Sequence, residues 1–202
     1  MIITQVINSI FNSNSYIIST ENEQNCWLVD CGDPEILTEW VTNNKKKLLG
    51  IFITHGHFDH IYGLNKVMEA FPDCTVYTSL KGKENLYSEK FNLSRYSSNP
   101  FVYQYDNIVV LNDNDTVNLS SKLILNVMAT PGHDWGCLTY YIDNHIFTGD
   151  SFLPDYKFNI KFPRGDRAQR DESLIRIKNK IKMGARNIYP GHGVIKTSYY
   201  CS

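Results

Sequence analysis

The sequence contains no Cys-x-x-Cys pair. Its five cysteines, Cys26, Cys31, Cys74, Cys137 and Cys201, are scattered and odd in number. That argues against a disulfide framework and suits a reducing compartment. Neither sign of charge is in excess: 20 Lys and Arg face 21 Asp and Glu, a net charge of −1. Such a balance gives no global reason to expect nucleic acid or an anionic membrane as partner, so the expected partner is a small-molecule substrate. No apolar run approaches the ~18 residues that span a bilayer. The N-terminus, M-I-I-T-Q-V-I-N-S, lacks the basic stretch and long apolar core of a secretory signal, so the expected location is cytoplasmic. Linkers and low-complexity tracts are missing too, and residues 1–202 read as one domain with a sizeable core.

What the chain does have is concentrated between Thr54 and His60, in T-H-G-H-F-D-H. His55, His57, Asp59 and His60 lie within six positions, and imidazole with carboxylate is a donor set for a divalent cation. Histidines two apart converge on one ion only if the backbone between them leaves regular structure, which Gly56 permits. The apolar run from Leu48 to Thr54 predicts a buried strand before the motif. Ile61, Leu64, Val67, Met68 and Phe71, ending at Pro72, predict a helix after it. A strand-to-helix junction is where open α/β folds place ligand sites. Of the six histidines, His133 lies in T-P-G-H and His192 in P-G-H-G, both after apolar runs, while His145 sits in an ordinary turn.

H-G-H-F-D-H, then T-P-G-H at 130–133, F-T-G-D at 147–150 and Y-P-G-H-G at 189–193, resemble the metallo-β-lactamase superfamily. The variant is similar to its hydroxyacylglutathione hydrolase (glyoxalase II) branch, and V-D-C-G-D at 29–33 resembles an early superfamily motif. The resemblance runs over nearly the whole chain. It implies a four-layer αββα sandwich of α/β class and a site for two metal ions. His55, His57 and His133 would hold one ion, Asp59, His60 and His192 the other, and Asp150 would bridge them. Asp30 would sit beneath the site and orient the motif loop. Zinc is the expected metal, with iron or manganese as alternatives.

The chemistry implied is hydrolysis of a small thioester or ester by a metal-bridging hydroxide, with Asp59 also taking a proton as the intermediate collapses. The alternatives are a phosphodiesterase or nuclease using the same two metals, and a mononuclear-iron persulfide dioxygenase. Aspartate at 150 differs from the residue of the β-lactam-cleaving branches, so antibiotic hydrolysis is not expected. The chain departs from glyoxalase II at two places. Ten residues follow His192 where that branch has a helical extension, and its G-R-x-D stretch after T-G-D is replaced by S-F-L-P-D-Y-K-F-N-I-K-F-P-R-G-D-R. Both departures count against glutathione as the bound thiol.

Along the rest of the chain, strands are predicted at 2–7, 15–19 and 25–29, separated by polar turns such as N-S-N. Asp33 is read as the N-cap of a helix opened by Pro34. Lys45, Lys46 and Lys47 follow near that helix's end, where cations favour the helix dipole. Strands are expected at 74–79, 109–111, 116–119 and 123–129, then a hairpin of 137–142 and 146–148 about Asp143-Asn144. An amphipathic helix over 171–183 and a short strand over 186–190 complete the pattern. Two stretches stay open. Tyr87, Phe91, Tyr96, Phe101, Tyr103 and Tyr105 form either a packed cluster or a wall of the substrate cleft. Lys157, Lys161, Arg164, Arg167 and Arg170 form either a solvated loop or an anion clamp.

Overall fold

Period-2 alternation along the strands decides the architecture. In a computed structural model that describes residues 1–156 and 163–200, neighbouring strand residues enter different apolar layers. Ile17 and Leu28 pack on one side, while Tyr16, Ile18, Trp27 and Val29 pack on the other. Val127 and Phe147 likewise face away from Met128 and Ile146. Sheets buried on both faces need cover on both sides, and the helices supply it.

The first sheet runs in the order β1 (Ile2–Ile7), β2 (Asn14–Ser19), β3 (Asn25–Val29), β4 (Lys47–Phe52), β5 (Thr75–Thr78), β6 (Ile108–Val110). The first three strands pair antiparallel; β3 through β6 are parallel, joined by helical crossovers. Helix α1 (Pro34–Asn43) contributes Leu37 and Val41 to the outer layer of this sheet, and α2 (Leu64–Ala70) contributes Leu64, Val67 and Met68. A third helix, α3 (Leu80–Leu86), follows β5.

The second sheet runs β11 (Asn187–Pro190), β10 (His145–Gly149), β9 (Leu138–Ile142), β8 (Ile124–Ala129), β7 (Thr116–Asn118). Phe52 and Trp27 from one sheet meet Tyr140, Leu125 and Phe147 from the other between the two. Helix α4 (Arg167–Lys182) covers the far face with Ile177 and Ile181. Helix, sheet, sheet, helix is the expected αββα order.

Local readings differ from the structure at three places. Asp33 precedes α1, but its side chain does not cap the helix. It accepts instead from the backbone and hydroxyl of Ser9 and from the Tyr62 hydroxyl, tying the loop after β1 to the motif segment. Lys46 does not serve the α1 dipole; its ammonium donates to the carbonyls of Thr20 and Glu23. Helix α4 begins at Arg167 rather than Asp171, because Asp166 is the N-cap and accepts from the Gln169 amide.

Candidate metal centre

The metal-type side chains all follow the carboxyl ends of strands. The 55–60 motif follows β4, His133 follows β8, Asp150 follows β10 and His192 follows β11. Two glycines let the backbone come close enough. A Cβ on Gly191 would stand 2.1 Å from Asp150 Oδ1, and one on Gly56 would stand 2.4 Å from the Cβ of Asn85. Gly149, at φ +49, takes the left-handed turn that delivers Asp150.

The structure brings all seven predicted residues together as two trios. The donor atoms of His55, His57 and His133 lie within 4.8 Å of one another, and so do those of Asp59, His60 and His192. Asp150 lies between the trios. Its Oδ2 is 3.4 Å from His133 Nε2 and 3.5 Å from His192 Nε2, and its Oδ1 is 3.6 Å from His60 Nε2. His55, His60 and Asp150 themselves form a third close group, so the trios are contiguous.

Burial alone would make so many polar groups expensive unless something satisfied them. His55 Nε2, His60 Nε2 and Asp150 Oδ1 are buried and make no hydrogen bond among the described residues. Those three atoms face one another across the gap, as lone-pair donors to a cation would. Burial, then the neighbouring imidazoles, hold His55 and His57 well below the ordinary imidazole range, so both are neutral ligands in waiting. Asp59 is held below the usual carboxylate range: burial opposes this, but His60 and His192 outweigh it, the latter at 3.2 Å. The donor set fits divalent cations of the zinc, iron or manganese type, with no preference among them.

Asp30, read as orienting the motif loop, does so by three contacts. Its Oδ1 accepts from the Thr54 amide at 2.8 Å, and its Oδ2 accepts from the Thr54 hydroxyl and lies 2.9 Å from His60 Nδ1. That last bond leaves His60 Nε2 as the outward donor and fixes its tautomer. Asp30 itself adopts φ +58, a conformation aspartate tolerates better than most residues.

Sequence reasoning missed three supports. The polar N-S-N stretch is not a solvent turn but a buried latch. Ser13 Oγ donates to the Asp59 carbonyl at 2.6 Å, while Asn14 Nδ2 donates to the carbonyls of Pro190 and Gly193. Fully buried Asn85 donates to Asp134 at 2.9 Å and accepts from Trp135 and Arg164. A buried asparagine carries no motif signature, so only tertiary contacts reveal it. Of the basic stretch, Arg164 reaches the cleft, Arg170 bonds Asp171, and Lys157 and Lys161 lie outside the described residues. The aromatic stretch divides: Phe101 and Tyr103 pack into the core, whereas Phe91 and Tyr96 line the cleft.

Two adjoining cavities open over the trios. One, of about 410 Å³, is lined by Asp59, His133, Asp150 and His192 together with Ile10, Phe11 and Phe58. The other, of about 260 Å³, is lined by His57, Lys90, Phe91, Arg95, Asp134 and Arg164. His57, Leu93 and Tyr96 border both. Among the described residues no helix is long and apolar enough to cross a membrane.

Comparison with known proteins agrees with this geometry. The profile of the metallo-beta-lactamase superfamily matches residues 9–192. A probable metallo-hydrolase of Streptococcus pyogenes is 29% identical over 96% of this chain and 84% of its own length. The hydroxyacylglutathione hydrolase of Salmonella typhi is 30% identical over 73% of this chain, which spans only about half, 51%, of that relative. Among solved structures, the BLEG-1 B3 metallo-β-lactamase superposes with a TM-score of 0.86 at 25% identity, covering 98% of this chain and 94% of that one.

Proposed function

This chain belongs to the metallo-β-lactamase superfamily of metallo-hydrolases, and from that premise we propose that it hydrolyses a small thioester or ester with two divalent metal ions, in the manner of its glyoxalase II-like relatives. The observation that carries the reading is the pair of donor trios sharing Asp150, with buried unsatisfied lone pairs turned toward one gap. When bound, such a cation pair supplies an acidified water and a Lewis acid for the substrate oxygen.

The residues divide the remaining work. His55, His57 and His133 would hold one ion and Asp59, His60 and His192 the other, with Asp150 placed between the two trios. Asp59 lines the larger cavity, where its carboxylate could accept a proton as well as ligate. Held below the usual carboxylate range by His60 and His192 against its burial, it is a standing anion, so ligation is its stronger role. Among the described residues no cysteine competes as a nucleophile. Cys26, Cys31, Cys74 and Cys137 are all buried, and burial pushes the thiols of Cys26 and Cys74 up to about 12. The second donor trio, Asp59, His60 and His192, offers a place for a second ion, and that favours a two-metal hydrolase over a one-iron oxygenase.

The deciding experiment is elemental analysis of purified protein joined to a panel of thioesters, lactones, phosphodiesters and a β-lactam. Two metal ions per chain with thioester or lactone turnover are expected. One iron per chain with oxygen uptake, or turnover of the phosphodiester alone, would replace this reading. The resemblance to a B3 lactamase structure is the reason the β-lactam is included.

A further inference from the structure

The cleft is split into two chemically unlike compartments that share a border at His57, Leu93 and Tyr96. The larger is lined beside the trio residues by Ile10, Phe11 and Phe58, and among the described residues no Lys or Arg lines it. The smaller presents Lys90, Arg95 and Arg164. None of those three cations forms an ion pair among the described residues, although the carboxylates of Asp134 and Glu84 act on Arg164 through space.

Arg164 is held rather than merely present. Its guanidinium carbon lies 3.3 Å from the centroid of Phe91 and 3.7 Å from that of Trp135. One terminal nitrogen donates to Oδ1 of the fully buried Asn85 at 2.5 Å. Two rings fix the plane, one hydrogen bond fixes the rotation, and the remaining N–H groups are left for a planar anion. Asn85 also touches the motif loop, since its side chain fills the space a Cβ on Gly56 would need. The guanidinium is therefore registered against His55 and His57 through one buried residue. The wall holds a second unsatisfied group. Asp134, 1% exposed, uses Oδ1 for Asn85 and the Gly136 amide, while its Oδ2 makes no hydrogen bond. A buried carboxylate oxygen without a partner marks a place where a donor on the ligand would be favourable.

We infer that the substrate is two-armed, with an apolar arm in the Ile10, Phe11 and Phe58 compartment and a carboxylate or similar planar anion against Arg164, Lys90 and Arg95, the scissile carbonyl lying between them over the trios. This inference rests on the hydrolase reading and narrows its substrate class. Neutral thioesters and short acyl groups are poor substrates under it, because each leaves one compartment unfilled.

The test compares four thioesters on the metal-loaded enzyme. S-hexanoyl-3-mercaptopropionate and the hexanethiol thioester of succinate carry both arms in opposite orders. S-hexanoyl-N-acetylcysteamine lacks the anion, and S-acetyl-3-mercaptopropionate lacks the apolar chain. One two-armed compound is expected to show a KM at least ~10-fold below both one-armed compounds, the scale of a charge-assisted contact and of four buried methylenes. In Arg164→Gln that ratio against the neutral compound collapses toward one, and Arg164→Lys restores only part of it. A neutral compound equal to both two-armed ones, or an unchanged ratio in Arg164→Gln, overturns the inference while leaving thioester hydrolysis standing. Calorimetry with (hexylthio)acetate and with 2-(hexylthio)ethanol, neither of which has a scissile bond, gives a second readout. The acid is expected to bind at least ~10-fold tighter than the neutral alcohol, and Arg164→Gln is expected to erase the difference. Equal binding of acid and alcohol, or a difference that survives in the variant, counts against the anion compartment even if no thioester is turned over.

Discussion

Every donor on the floor of the cleft follows the carboxyl end of a strand, whereas the wall is drawn from three connecting segments: the loop after β1, the stretch after α3 and the loop before α4. The floor groups are His55, His57, Asp59, His60, His133, Asp150 and His192; the wall is Phe11, Phe91, Tyr96 and Arg164 with their neighbours. His55 and His60 are 0% exposed and locked by neighbours, while Phe11 is 77% and Tyr96 82% exposed. Phe11 and Leu93 both occupy left-handed backbone, which a β-strand could not supply. A fixed floor with a separately built wall lets one reaction be kept while substrates change. The contrast predicts that floor substitutions act on metal and turnover together, and wall substitutions act on substrate affinity alone.

The sharpest way to break the contrast is Asp150→Ala. Asp150 faces donors of both trios, so its loss should leave less than two metal ions per chain and lower kcat/KM by ~10³-fold or more, beyond the 10–100-fold of supporting groups. Elemental analysis with steady-state kinetics measures both. Retention of two ions and activity would dissolve the distinction between floor and wall.

Protonation gives the next largest effect. Burial works against charge on His60, but Asp59, the hydrogen bond to Asp30 and Asp150 outweigh it and raise the imidazole to about 10. In metal-free protein a raised pKa stabilises the fold fully below the unfolded value of ~6.5, and that contribution is lost as pH climbs toward 10. A cation taking Nε2 must expel the proton, so metal affinity should rise up to ~10-fold per pH unit between about 7 and 9. Titration calorimetry in buffers of unlike ionisation enthalpy should show about one proton released from this group. Metal-free protein should also melt lower at pH 9 than at pH 7, and metal-loaded protein should not.

Asp30→Asn tests the support beneath the floor. Asparagine keeps the left-handed backbone and can still face Thr54, but it no longer offers a carboxylate to His60 Nδ1. A 10–100-fold loss of metal affinity, read by competition with a chelator, is the expected result. An intact affinity would mean that Thr54 and Gly149 packing alone orient the motif.

The same contrast explains what could be read from the residues in order. T-H-G-H-F-D-H, T-P-G-H, T-G-D and P-G-H-G announce themselves because coordination chemistry restricts the residue types and glycine restricts the backbone around them. The strand over 15–19 was legible from the run Tyr16, Ile17 and Ile18, and the structure adds that it is buried on both faces. The latch was not legible, since Ser13 and Asn14 have the composition of a turn and are buried only because the His192 loop lies against them. Asp33 was placed correctly before α1 but given the wrong bond, because Ser9 and Tyr62 are distant in sequence and outcompete the helix amides. The start of α4 was missed by four residues: the apolar face begins inside the helix, while its first turn, Arg167 to Arg170, is all polar or small.

Tyr96 supplies the smallest effect and the most direct probe of the wall. Its ring borders both compartments yet makes no hydrogen bond to any floor residue among the described residues, and its exposure means that little core packing depends on it. Tyr96→Ala should therefore raise KM for a hexanoyl thioester by about 3-fold, the value of part of one aromatic surface, with both metal ions retained. Phe58 stands next to it in the same cavity, but it precedes Asp59 in the motif turn and packs against the core. Phe58→Ala should accordingly change metal content as well as KM. If the two variants behaved alike in elemental analysis, position along the chain rather than position in the cleft would not be what separates the parts that hold metal from the parts that choose substrate.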